Sequence, residues 1–210
     1  MKTRTSTARL LSKPLSLAVL FTSFCVWSCT SFGASLSPVI DDFSDAKYNN
    51  LGIPRQFLND TITGGNTTSE QGIAKGVISL TGEIVPPRGQ PGWASAVLLL
   101  DPENLPRDAS AFEGIRMLVK ISSGNMSLSA NSTEITNFDY HAAPVAVSAD
   151  GKFHEVKIPF DSMKRAWSEP VPLNTKTISS LSIVAYGVQK SAFHFEIDEV
   201  SFYPSAETAQ

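Results

Sequence analysis

Cysteine is nearly missing from this chain: there are two among 210 residues, Cys25 and Cys29, both near its start. Nothing from residue 35 onward can form a disulfide, a thiol nucleophile or a thiolate metal site. That stretch must hold itself together by burial, which a domain of about 170 residues can do. Charge is thin, at 18% of residues, and basic charge is thinner once residues 1–34 are set aside. They carry Lys2, Arg4, Arg9 and Lys13 and no acid, which leaves 13 basic against 20 acidic residues, a net charge of −7. Such a surface argues against nucleic acid and against anionic membranes as partners. No apolar run is long enough to span a bilayer; the one from Leu15 to Trp27 falls short of the roughly 20 residues required.

The signatures of catalysis are missing as well. There is no Gly-x-Ser-x-Gly elbow, no His-Glu-x-x-His and no glycine-rich phosphate loop. The histidines, His141, His154 and His194, are scattered, and His154 shares the parity of Val156 and Ile158, as a core or edge histidine would. A glycosidase needs two facing carboxylates. Twenty acidic residues are present, and no pair among them stands out.

What is present begins with a leader. A basic head, an apolar run and small residues from Ser28 to Ser35 follow in the order of a secretory signal peptide over residues 1–34, so the chain is expected to be exported. Ser31-Phe32-Gly33 offers a cleavage site. Val26-Trp27-Ser28-Cys29 offers another, a lipobox-like end at which Cys29 would be lipidated, making the protein periplasmic or secreted, with or without a lipid anchor.

Residues 35–210 read as one domain with a core over about 37–203. Apolar residues alternate over Ile73–Leu80, Phe112–Ile121, Asn125–Asn131, Ala143–Val147 and His154–Phe160, the period of half-buried strands. Trp93 to Leu100 is apolar on both parities, which predicts a central strand buried on both sides. Gly64-Gly65 closes a Thr-rich strand leading up to Thr63 in a tight turn, and Asp150-Gly151 signals a hairpin. A single helical turn fits residues 161–166. In the last strand the inward residues are 193, 195 and 197 and then 200 and 202, so one extra residue slips in at Asp198-Glu199 and predicts a β-bulge. Its partner is predicted to be Val39–Phe43, which brings the termini together. Helical spacing never persists beyond a turn. The fold class is all-β: a single antiparallel β-sandwich, with the jelly roll its commonest closed form.

Several short motifs then follow in order: Asp42-Phe43; Asp60 before Gly64-Gly65; Gly92-Trp93-Ala94-Ser95; Phe112-Glu113-Gly114-Ile115; Ile158-Pro159-Phe160; and Phe195-Glu196-Ile197-Asp198. Together they resemble the complex I intermediate-associated protein 30 family. The chain departs from that pattern at Thr63, before the glycine pair, and at Asn66-Thr67 after it. The resemblance implies a galactose-binding-like jelly roll without known catalysis. Mitochondrial members of the family are assembly chaperones, a role that an exported chain cannot simply inherit. The expected function is an exported, non-catalytic binding or assembly-type domain for a protein or glycan partner. A carbohydrate-binding module is the alternative, and a hydrolase of envelope glycans the third reading.

Two groups of residues are candidates for ligand chemistry. Trp167 and Tyr140, with Asn137 and Asp139 beside the tyrosine, supply aromatic faces and polar groups suited to sugars; covering a sandwich edge would use them equally well. Asp41, Asp42, Asp198 and Glu199 would crowd together if the first and last strands pair. Their repulsion calls for water, a neighbouring basic residue or a structural calcium held by oxygen ligands. No other cofactor is implied.

Overall fold

The structure, a computed structural model, describes residues 36–204. The leader and Cys29 lie outside the described residues. The strands are β1 (Val39–Asp41), β2 (Gln56–Asn59), β3 (Thr68–Ala74), β4 (Val77–Ile84), β5 (Gly92–Leu99) and β6 (Phe112–Ser123). They continue with β7 (Asn125–Ser132), β8 (His141–Val145), β9 (His154–Pro159), β10 (Lys164–Arg165), β11 (Ile178–Gly187) and β12 (Ser191–Pro204). They pair antiparallel in two six-stranded sheets. The first runs β3-β4-β12-β6-β9, with β1 also on β12; the second runs β10-β8-β7-β11-β5-β2. Period-2 alternation explains the layering, because each strand turns one set of side chains into the space between the sheets. Leu98, Leu128 and Ile183 meet Ile115, Met117 and Phe195 there, all buried. The predicted β-sandwich is the fold observed.

The last strand has the predicted slip. Ile197 stands opposite Val119 and Glu199 opposite Leu118, so Asp198 is the extra residue. Phe193, Phe195 and Ile197 before it, and Val200 and Phe202 after it, all point into the core. Val39 pairs with Ser201 and Asp41 with Val200, joining the two ends of the domain.

Four local expectations give way. Residues 60–63 form a 3-10 turn, not a strand, capped by the Asn59 side chain. Asp150-Gly151 turns the chain between β8 and β9, which lie in different sheets, so it makes a crossover rather than a hairpin. Residues 161–166 hold the end of a short 3-10 turn and then edge strand β10. β5 is not buried on both sides: Ala94, Ala96 and Leu98 point inward, while Trp93, Ser95, Val97 and Leu99 lie half-buried on the outer face. Periodicity fails there because Ala and Ser are small enough to suit either face.

The Asp60 and Gly64-Gly65 motif has a structural role. The buried Asp60 carboxylate accepts from the Thr67 amide (2.9 Å), the Thr67 hydroxyl (2.6 Å) and the Trp93 amide (3.1 Å). Thr67 Oγ1 in turn accepts from the Val85 amide at 3.1 Å, so one carboxylate ties the ends of β4 and β5 together. Gly64 has φ +88°, and a Cβ at Gly65 would fall 2.2 Å from Asp60 Cγ. Glycine is required at both positions, for different reasons.

Candidate ligand-binding site

Residues 137–140 precede β8 and residues 166–168 follow β10, and those strands pair as Lys164 with Ala142 and Arg165 with His141. Continuing that ladder by one step, the Ala166 amide donates to the Tyr140 carbonyl at 3.2 Å. The pairing brings Asn137, Asp139, Tyr140 and Trp167 together. All four expected residues are in one cluster.

Asp139 is its anchor. Its carboxylate accepts from the amides of Tyr140 (2.8 Å), Ala166 (3.0 Å) and Ser168 (3.0 Å) and from Arg165 Nε at 2.8 Å. The Asp139 side chain is fully buried and that of Arg165 nearly so. Burial alone would push this carboxyl up; hydrogen bonds from Ser168, the Tyr140 amide and Arg165 outweigh it and hold Asp139 well below the usual carboxylate range. Asn137 completes the network, donating to Ser168 Oγ at 3.0 Å and accepting from Arg165 at 3.3 Å. Sequence reasoning missed Arg165 and Ser168. A basic residue two places before an exposed tryptophan was the available signal.

The aromatic rings stand on this base. Tyr140 and Trp167 meet edge to face with centroids 5.2 Å apart, and Trp167 is 61% exposed. Phe138, at the tip of the 137–139 turn, is 93% exposed with φ +62°, a conformation unusual for a bulky side chain. Burial raises the Tyr140 hydroxyl, with the Asp139 charge and Tyr186 adding to the effect. Beside the cluster, an open cleft of about 630 Å³ is lined by Phe112, Phe160, Met163 and Leu173, with Glu113 and Asp161 among its acids. His141, next to Tyr140, is buried, donating from Nε2 to the Val171 carbonyl at 2.7 Å, and its Nδ1 has no partner.

The other candidate group is not assembled. Asp41 is buried, and both its oxygens are taken by Arg55, Nε at 2.5 Å and Nη2 at 2.6 Å. Arg55 also lies over the Phe43 ring. Asp42 faces away to the Ser44 hydroxyl (2.6 Å), which with Asn50 holds its carboxyl below the usual range. Glu199 pairs with Arg116 at 2.7 Å, and Asp198 sits half-buried at the bulge. Arginine supplies the compensation that the crowded charge requires. Among the described residues no three His, Cys, Asp or Glu side chains converge to hold a metal.

The model of the complex I intermediate-associated protein 30 family matches residues 48–197. The chain belongs to that family. No curated protein matches it in sequence. Among solved structures this family member is similar to the family 11 carbohydrate-binding module of the cellulosomal cellulase Lic26A-Cel5E of Clostridium thermocellum. There the identity is 15% and the TM-score 0.56, over 82% of this chain and 96% of that one. The same family 11 module from Clostridium thermocellum, in complex with a β-1,3-1,4-mixed-linked tetrasaccharide, matches at 15% identity and TM-score 0.56, over 80% and 95% of the two chains. The agarase AgWH50C matches at 10% identity and TM-score 0.56, over 82% of this chain and 27% of that one. At these identities the likeness is one of fold. Family and fold agree on a β-sandwich domain.

Proposed function

We propose that the protein is an exported binding or assembly-type domain that captures its partner on the ridge formed by Tyr140 and Trp167. One observation carries this reading: an aromatic pair, Trp167 exposed and Tyr140 half-buried, is built on a buried charge network. An exposed tryptophan with no role in the core is costly to present, and rigid aromatic anchors are what binding sites concentrate their energy in. Because Asp139 fixes both flanking segments, little conformational freedom is left to lose when a partner docks. Export rests on the basic head, apolar run and small residues at the start of the chain.

The test uses the full chain as bait in the envelope fraction of its own source, beside Trp167→Ala. A defined partner recovered by the wild type and lost with the variant, at unchanged melting temperature, is the expected result. Equal recovery by both would place the contact elsewhere.

A second reading, as a carbohydrate-binding module, is favoured by the chemistry of the ridge. An indole and a phenol at right angles, with the Asn137 amide beside them, suit sugar stacking with hydrogen bonds to hydroxyls. Glycan-array binding that disappears in Trp167→Ala supports it; an array without signal removes it.

A further inference from the structure

The outer faces of the two sheets differ in kind. On the first sheet, Arg116 pairs with Glu155 (2.6 Å) and Glu199 (2.7 Å), and Lys120 pairs with Glu196, as on an ordinary solvated surface. On the second sheet, alternate outward positions run from 93 to 99 on β5, 180 to 186 on β11 and 125 to 131 on β7. Each is Ser, Asn, Val, Leu, Trp or Tyr, with no charge among them. Ala142 and Pro144 continue the face on β8, and a charge first appears at Lys164, on the edge strand.

This uncharged face has aromatic rings at both ends and hydroxyls between. Trp93 and Tyr186 are register partners at one end, with Asn125 next to Tyr186. Tyr140, one residue beyond the Ala130–His141 pair, and Trp167 stand at the other. From Tyr186 to Ser180 the strand advances six residues, about 20 Å. In the floor, the Asn131 amide donates to Ser180 Oγ (2.9 Å) and Ser182 Oγ (2.8 Å). Ser129, opposite Ser182, is only 2% exposed, and its hydroxyl has no partner.

We propose that this face is a trough for an extended, neutral oligosaccharide, clamped between Tyr140–Trp167 and Trp93–Tyr186 over the serine floor. The inference rests on the carbohydrate reading of the ridge and adds the second clamp, the floor and the ligand's neutrality. An anionic chain would be desolvated along this face without a cation to meet it, and a cationic one without an acid. A polyhydroxyl chain needs only what the face offers, rings for its apolar faces and hydroxyls and amides for its edges.

The test is calorimetric titration of the full chain with β-linked gluco-oligosaccharides from disaccharide to hexasaccharide, beside galacturono-oligosaccharides of the same lengths. Affinity should rise with length in the neutral series and be absent in the acidic one. Tyr186→Ala should weaken the hexasaccharide about tenfold, the scale of one aromatic contact, and leave the disaccharide unchanged. Trp167→Ala should weaken every length. If Trp167→Ala abolishes binding while Tyr186→Ala matches wild type at every length, the ridge stands and the trough falls. Preference for the acidic series, or no binding of any neutral chain, overturns the trough and leaves the ridge to be judged by its own bait experiment.

Discussion

Replacing Asp139 with asparagine tests the foundation of the ridge. The carboxylate receives four N–H groups, two on each oxygen: Tyr140 and Ala166 on Oδ1, Arg165 and Ser168 on Oδ2. Asparagine keeps one acceptor but turns an NH2 group towards two of those donors and leaves the Arg165 charge unpaired at 9% side-chain exposure. Breaking a buried pair by removing one partner costs about 3–5 kcal/mol, and the rim position of this cluster favours the lower figure. For a domain of this size, about 3 kcal/mol lowers the melting temperature by roughly 6–12 °C. The pH dependence gives a second reading. Asp139 is depressed in the folded state, so its stabilisation is complete above the unfolded carboxyl value of about 4. It is lost as pH falls from there through the folded value. Thermal melts at neutral pH and at about pH 3 should show Asp139→Asn less stable at neutrality but losing less on acidification than the wild type. A variant melting within about 2 °C of wild type at neutral pH, with the same acid response, would refute the anchor role.

Asp41→Ala should cost about 3–5 kcal/mol in urea denaturation by stranding the buried Arg55, and the pair Asp41→Leu with Arg55→Met should recover most of it; a single variant as stable as wild type would contradict this. Gly65→Ala forces a Cβ against the Asp60 carboxylate and should lose about 1–3 kcal/mol or more, against about 1 kcal/mol for Gly64→Ala, both read from melting curves. Millimolar calcium and chelator should leave the melting temperature unchanged, because Asp41 is engaged by Arg55 and Glu199 by Arg116; a rise with calcium would show that the ion displaces an arginine.

Alternation was enough to read the β-sandwich, the closing strand and its bulge, because a side-chain period of two leaves one parity for the core, and a slip from 197 to 200 has one simple geometric remedy. The ordered motifs were enough for the family, and composition for the dominance of acid over base. Tyr140 with Asn137 and Asp139 could be picked out because they are neighbours in sequence. That Trp167 joins them is a tertiary fact, set by the pairing of β8 with a two-residue edge strand too short to carry any period. Which acid meets which base was equally hidden. Asp41 lies beside Asp42, yet it is buried on Arg55, 14 residues away, while Asp42 faces Ser44. The outward turn of Trp93 was hidden for a different reason: a strand of Ala, Ser, Val and Leu is compatible with either face, and only the partner strand β11, with Tyr186 opposite Trp93, decides which side meets the core.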